Sequence, residues 1–134
     1  MYIYQEQNPM LEITKEIESF SFYYYGKKFN VNKHNKKFQT LIEKTTKVFS
    51  NSKVMPAFGV SLHHETQNAM KHGIWVEINF KEQITINELP FSSLLVKLEK
   101  ANGINLIRKY NGKYEGRCIY LDFDEELDLV KIIN

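Results

Sequence analysis

Three histidines and a glutamate lie close together in the middle of the sequence, where they could bind a metal ion or transfer protons. His63, His64, Glu65 and His72 fall within ten residues. The helical zinc signature places two histidines four residues apart, whereas the residue four positions after His64 is Asn68. In a helix, His64 and His72 would be separated by about 12 Å, which is too far for both to bind one ion.

A hydrolase-like enzyme built on His63, His64 and Glu65 is one hypothesis from this cluster, with His34 as a further group that folding could bring near. The competing interpretation is that the histidines are exposed or lie at helix ends, where the helix dipole favours a positive charge at the C-terminus. The spacing favours this second interpretation, so we predict neither catalytic residues nor a bound metal. The sequence also lacks a glycine-rich phosphate loop, a Gly-x-Ser-x-Gly elbow and a Cys-x-x-Cys pair, so no cofactor is predicted.

A second set of residues, between positions 22 and 47, combines aromatic rings with positive charge. The chain from 27 to 53 contains eight lysines and a single acidic residue, Glu43. Rings that stack on bases and cations that neutralise phosphates are the components of a single-stranded nucleic-acid site. The predicted residues of such a site are Tyr23, Tyr25, Lys27, Lys28, Lys36, Lys37, Lys44 and Lys47.

The same segment also has a purely structural interpretation. Phe20, Phe22 and Tyr24 would then be core residues, and the lysines would form the solvated face of an amphipathic helix. The segment contains no arginine, the side chain suited to bidentate contacts with bases and phosphates. Any nucleic-acid binding is therefore expected to depend on the phosphate backbone and to weaken as salt concentration rises.

A third candidate surface surrounds Asn111-Gly112, the dipeptide most typical of a two-residue hairpin turn. Strands at 104–110 and 113–123 would place Arg108 opposite Glu115 as a cross-strand ion pair. Tyrosine and arginine are common anchors of protein interfaces, and the alternative is a solvated hairpin with ordinary cross-strand pairs. The predicted residues for a protein partner are Tyr110, Lys113, Tyr114, Arg117 and Tyr120.

Hydrophobic periodicity predicts the elements that would position these groups. Alternating apolar residues predict strands at 17–25, 28–31, 74–81 and 84–86, with turns at Gly26-Lys27 and near Glu82. Helical spacing predicts helices at 34–50, 62–71 and 90–102, and Asp124 could cap a short last helix. The chain would then contain three units of a hairpin followed by a helix.

These elements predict an α+β fold, with an antiparallel sheet built from β-hairpins and helices packed on one face. Trp75 alternates away from the apolar face formed by Ile74, Val76, Ile78 and Phe80. We therefore expect the helix at 62–71 to cover this tryptophan as a second layer.

Composition limits the class of protein. The chain has 134 residues, 43% of them hydrophobic and 25% charged, with a formal net charge of +2, which fits one globular domain over residues 1–134. The single cysteine, Cys118, excludes an internal disulfide, and no stretch approaches the ~18 apolar residues of a membrane span.

The first residues do not resemble a secretion signal, so a cytoplasmic protein without membrane association is expected. The many Lys, Asn and Ile residues suit an AT-rich genome, such as that of a low-GC bacterium or its phage.

These observations favour a small non-catalytic binding or regulatory protein that contacts a protein partner through the Asn111-Gly112 hairpin, in the manner of a phage or mobile-element inhibitor. One alternative is a nucleic-acid-binding module using the segment 22–47. The other is the hydrolase-like enzyme using His63, His64 and Glu65.

Overall fold

The chain folds around one predominantly antiparallel β-sheet in a computed structural model that describes residues 2–3, 12–50, 53–55, 63–86, 89–98 and 104–122. The strands are β1 (Tyr2–Ile3), β2 (Ile17–Tyr24), β3 (Lys27–Asn32), β4 (Lys53–Met55), β5 (Ile74–Ile86), β6 (Leu89–Lys97), β7 (Ile104–Tyr110) and β8 (Lys113–Asp122). The helices are α1 (Phe38–Ser50) and α2 (His63–Met70), and a 3-10 turn spans Thr14–Glu16. The predicted α+β class with an antiparallel sheet is confirmed.

The strands are ordered β3-β2-β5-β6-β7-β8-β4, and each neighbouring pair is antiparallel. The two-residue β1 adds a parallel pairing to the far end of β5. With 13 residues, β5 is long enough to pair with β1, β2 and β6. Most residues of β5, at the centre of the sheet, are buried on both faces. In contrast, β3 lies at an edge and exposes all but one of its residues.

One face of the sheet forms the main hydrophobic core. Phe20 and Phe22 of β2 are fully buried there, beside apolar residues of β5 and β6. Helix α1 packs on this face through Leu41, which is also fully buried, and through Phe38, whose ring lies edge-on to Phe20 at 5.8 Å. The helix predicted at 34–50 is observed over Phe38–Ser50. The helix begins at Phe38, after a turn in which the backbone N–H of Lys37 donates a hydrogen bond to the side-chain oxygen of Asn35.

The opposite face carries polar and aromatic side chains, and α2 lies over it. Trp75 is only 7% exposed because it packs with Met70 of α2, with Leu95 and with Tyr114. Its indole N–H donates to the carbonyl of His72 at 2.8 Å. The prediction that the helix at 62–71 covers Trp75 is confirmed. Gly73, with φ of 85°, supplies the left-handed residue expected after that helix.

The predicted helix at 90–102 is wrong, because residues 89–97 form strand β6. Leu94 and Val96 face the main core, whereas Leu95 joins the cluster beneath α2. A strand covered on both faces has apolar residues at consecutive positions, and such a run can match a helical stripe by chance. Residues 99–103 lie outside the described part of the chain.

The predicted turn near Glu82 is also wrong, since β5 continues through it to Ile86. The pairing of β5 with β6 shifts register between Asn79 and Ile84, and residues 81–83 are exposed. An irregularity of this kind interrupts the alternation of side chains without ending the strand. Of the three predicted hairpin-helix units, the second is wrong, and the first is observed with its turn one residue earlier than predicted. The hairpin of the third is observed, and its helix lies outside the described residues.

Both predicted tight hairpins are confirmed. Tyr25 and Gly26 have φ angles of 49° and 88°, and Asn111 and Gly112 have φ angles of 52° and 78°. Two successive residues with positive φ are the signature of a type I′ turn, whose twist matches that of the flanking strands. The first turn is therefore Tyr25-Gly26, one residue before the predicted Gly26-Lys27.

The second hairpin has irregular register, which alters one predicted contact. Arg108 pairs with Gly116 and not with Glu115, because register shifts occur on both sides of it. Its guanidinium instead donates to the carbonyl of Pro90 at 2.9 Å. The short helix predicted after Asp124 lies outside the described residues. No helix in the described ranges has both the length and the hydrophobicity to cross a membrane.

Candidate functional site

A cleft of about 650 Å³ opens between α2 and the polar face of the sheet. Its floor comes from the strands, through Tyr23, Lys109 and Tyr114, and its wall comes from one side of α2. The turn glycines Gly26 and Gly112 lie at its rim. The remaining lining residues are His63, His64, Gln67, Asn68, Met70 and Lys71.

A buried carboxylate lies beneath this cleft. Glu77, on the central strand β5, is only 4% exposed. The hydroxyl of Tyr114 donates a hydrogen bond to one of its oxygens, and the ammonium of Lys109 lies 3.7 Å from the other. Because a buried charge is tolerated only when it is paired and hydrogen-bonded, these two contacts explain how Glu77 can lie in the interior.

His63 connects α2 to the strands at one end of the cleft. Its ring stacks on that of Tyr114, with centroids 5.6 Å apart and planes inclined by 24°. The backbone N–H of Tyr114 donates to its Nδ1 at 3.1 Å. Since Nδ1 accepts a hydrogen bond, the proton of the neutral imidazole is on Nε2, which is then a donor. His64 lies edge-on to His63 at 5.4 Å and is exposed.

The electrostatic environment keeps the tyrosines of the floor protonated. Burial raises the pKa of the Tyr114 phenol far above its usual value, and the hydrogen bond to Glu77 and the charge of that carboxylate raise it further. Burial also raises the pKa of Tyr23, with a second contribution from the charge of Glu77. Both phenols are therefore neutral hydrogen-bonding groups at physiological pH.

The structure brings together only part of the predicted histidine cluster. His63 and His64 line the cleft, whereas the exposed Glu65 is not among its lining residues. His72 follows α2, and His34 lies in the turn between β3 and α1; both are exposed. Within the described part of the chain, no three His, Cys, Asp or Glu side chains are arranged to hold a metal ion.

Tyr114 links His63 to the buried Glu77, and the sequence did not predict this link. The one sequence signal for Glu77 is that it alternates with the apolar residues of β5 and so shares a face with Trp75. A covered Trp75 implies that Glu77 is covered too.

The aromatic residues of the first hairpin divide between core and surface. Tyr24, Tyr25 and Phe29 are 47%, 59% and 40% exposed, and they are the exposed large hydrophobic residues of the described chain. Phe29 stacks on the buried Phe22 at 5.3 Å, and Tyr25 lies edge-on to Tyr24 at 4.8 Å. Burial of Phe20 and Phe22 agrees with the structural interpretation of this segment, but Tyr24 does not belong to the core.

Tyr23 points to the other face of the sheet, where it is half-buried and lines the cleft. The ammonium of Lys28 lies 5.8 Å from the centre of its ring. The lysines predicted for nucleic-acid binding are all exposed: Lys27, Lys28, Lys36, Lys37, Lys44 and Lys47.

The second hairpin exposes fewer of its predicted residues. Tyr114 is only 5% exposed, because it points into the protein under α2. Tyr110 is half-buried and Lys113 is exposed. Arg117 and Tyr120 lie on β8, with side chains outside the described part of the structure.

No protein-family model, curated protein or solved structure matches this chain.

Proposed function

We propose that this chain is a small binding protein whose ligand is single-stranded nucleic acid. The observation that carries the proposal is the exposure of Tyr24, Tyr25 and Phe29 on one hairpin, next to the exposed Lys27, which pairs with Tyr24. Together with the exposed lysines in and before α1, these residues are called the basic-aromatic surface. Stacking of a base on an aromatic side chain contributes about 1–3 kcal/mol, which gives a physical reason for keeping such rings in contact with water.

The register of the first hairpin supports stacking on two neighbouring strands. Phe29 pairs with Phe22, so it lies on the same face of the sheet as Tyr24, which is two residues further along β2. Adjacent strands with rings on one face can hold successive bases of an unpaired strand. Phe29 is supported from behind by the buried Phe22, which fixes the ring without covering its outer side.

Lysines on the same side of the molecule as these rings would supply positive charge for the phosphates. Helix α1 packs on the sheet face that carries Phe22, so the lysines of this helix and of the preceding turn lie beside that face. Lysine neutralises phosphates as a point charge and does not read base edges as arginine does. The expected binding is therefore tolerant of sequence and strongly dependent on salt.

The direct test is fluorescence anisotropy of labelled oligo(dT) and oligo(U), with a duplex of the same length for comparison. Phe29→Ala and Tyr24→Ala should each weaken binding of the single strand by about 5–100-fold, the equivalent of one lost stack. The matched control is Tyr110→Ala, a tyrosine of the other hairpin, which should leave affinity unchanged. Absence of binding at low salt, or equal binding of duplex and single strand, would exclude the proposal.

A protein partner at the second hairpin is the other candidate function. Its support is the rigid type I′ turn at Asn111-Gly112, which presents the exposed Lys113 and the half-buried Tyr110. Affinity capture with and without nuclease separates the two functions, because a partner of this hairpin survives nuclease. The captured partner should also be lost in the double variant Lys113→Glu/Arg117→Ala and retained in Phe29→Ala. Partners that all disappear with nuclease would argue against this candidate.

A further inference from the structure

We propose that the cleft between α2 and the sheet binds a small organic molecule through an oxyanion group, either phosphate or carboxylate. This inference is independent of nucleic-acid binding, because it rests on different residues and on the opposite face of the sheet. The volume of about 650 Å³ lies within the ~300–1,000 Å³ range of small-molecule sites. It is also many times the ~30 Å³ of a water molecule, so the site has room for an organic body as well as the anionic group.

On the side of α2 that faces the cleft, His63 stacks on Tyr114 and Met70 packs with Trp75, whereas the other lining residues are exposed. Thr66 and Met70 are the buried residues of this helix. His63, Gln67 and Lys71 follow a spacing of four residues, so they form one stripe, and His64 and Asn68 form the next. All of these except His63 are exposed, and all line the cleft. A polar stripe directed at a concave surface is available to a ligand.

The chemistry of the lining selects an anion. Lys71 contributes positive charge, the histidines and amides contribute N–H donors, and no carboxylate is among the lining residues. Glu77 lies below the floor, where Tyr114 and Lys109 already bind both of its oxygens. Glu77 and Lys109 thus compensate each other's charge, whereas the exposed Lys71 is available to pair with a ligand.

The tyrosines of the cleft floor predict that the ligand also has hydrogen-bonding groups or a flat surface. The Tyr114 hydroxyl already donates to Glu77, but the phenol of Tyr23 remains protonated and half-buried, so part of its ring is accessible from the cleft. Gly26 and Gly112 leave the rim without side chains, and a Cβ at Gly112 would have no heavy atom within 4 Å, so the entrance is open there. A ligand with its oxyanion at Lys71 and a polar or flat body over Tyr23 would match these features.

Two-dimensional ¹H–¹⁵N NMR tests this proposal on the intact chain. The probes are inorganic phosphate, glucose 6-phosphate and citrate, with glucose as the neutral counterpart. Saturable shifts are expected for the amides of Gly26, Asn68 and Gly112 with at least one oxyanion, and none with glucose. Binding of citrate alone would identify a carboxylate ligand, and binding of phosphate compounds alone a phosphate ligand; either supports the proposal.

Substitutions then locate the site. Lys71→Gln should weaken binding of the probe by at least tenfold, the equivalent of about 1.4 kcal/mol. Lys81→Gln removes an exposed lysine of β5 that does not line the cleft, and it should leave the affinity unchanged. Equal losses in the two variants, or no saturable shift with any probe at millimolar concentration, would overturn the proposal. Phe29→Ala should not alter probe binding, so failure here is separable from failure of nucleic-acid binding.

Discussion

Glu77 shows how neighbouring residues decide the behaviour of a single buried charge. It lies in the central strand at 4% exposure, with the Tyr114 hydroxyl as a donor and the Lys109 ammonium 3.7 Å away. The carboxylate in turn holds Tyr114 in position, and Tyr114 supports the ring of His63. These residues therefore act as one unit, and removal of any member leaves another without its partner.

Removal of the Tyr114 hydroxyl should expose this dependence. Tyr114→Phe keeps the ring that stacks with His63 but leaves a buried carboxylate without one hydrogen bond, so the free energy of unfolding should fall by about 1–3 kcal/mol. Tyr110→Phe makes the same chemical change on a half-buried ring, and its effect should stay within ~0.5 kcal/mol. Urea unfolding measures both. A loss no larger in Tyr114→Phe than in Tyr110→Phe would show that the hydrogen bond to Glu77 contributes little.

The raised pKa of Tyr114 predicts a loss of stability at alkaline pH. An unfolded tyrosine ionises near 10.0, whereas the folded protein keeps this phenol protonated to higher pH. Above about pH 10 the folded state therefore binds more protons than the unfolded state, so the free energy of unfolding falls as pH rises. The stabilisation is complete below that pH. Urea unfolding on both sides of pH 10 should show a steeper decline in the native chain than in Tyr114→Phe, and parallel curves would contradict this explanation.

Strand β6 shows that tertiary packing can decide whether a segment forms a strand or a helix. Its sequence has good helical spacing, yet Leu94 and Leu95 are both fully buried on opposite faces of the sheet. The alternatives differ at Val96, which a helix with this apolar stripe would place on its solvent side. In the strand, Val96 is 1% exposed.

Val96→Ala therefore distinguishes the strand from the helix by experiment. In the strand it removes buried methyl groups and should lower the free energy of unfolding by about 1–3 kcal/mol. On the exposed side of a helix the same change would be neutral or slightly stabilising, because alanine has the higher helix propensity. Lys81→Ala, at an exposed position of the neighbouring strand β5, is the control and should change stability by less than ~0.5 kcal/mol. Thermal or urea unfolding gives the answer.

At the scale of the whole molecule, the two faces of the sheet have different roles. One face buries the main core under α1, and the other combines the cluster around Trp75 with the cleft under α2. The first hairpin contributes to both, since Phe22 and Tyr23 point in opposite directions. Positive charge is concentrated around this hairpin and α1, where eight lysines and one acidic residue occur between positions 27 and 53.

This charge distribution predicts how nucleic-acid affinity responds to salt. The logarithm of the association constant should fall linearly with the logarithm of salt concentration, by ~0.7 for each phosphate contacted on a single strand. Replacing Lys36 and Lys37 together with alanine should make the slope shallower by roughly one to two phosphates. Lys81→Ala, on β5, should leave the slope as it is. Anisotropy titrations across a range of salt concentrations measure it, and an unchanged slope in the double variant would remove these lysines from the interface.

The sequence by itself determined the two tight hairpins, helices α1 and α2, and the coverage of Trp75. These depend on local causes: turn dipeptides that accept positive φ, amphipathic spacing and strict alternation. The candidate residues of the basic-aromatic surface were also visible in the sequence, since they are neighbours along the chain.

Only the tertiary structure decided the conformation of residues 89–97 and the existence of the cleft. A segment with apolar residues at consecutive positions can form a strand when both of its faces are covered. Here the main core covers Leu94 and Val96, the cluster beneath α2 covers Leu95, and β5 and β7 pair with the two edges of β6. The cleft is lined from α2, β2, β7 and β8, and Glu77 of β5 lies beneath it, so the meeting of these groups depends on the order of the strands in the sheet. Pairing between distant segments, unlike a turn or a helical stripe, leaves no local pattern in the sequence, and for that reason Glu77 and Tyr114 could not be joined before the fold was known.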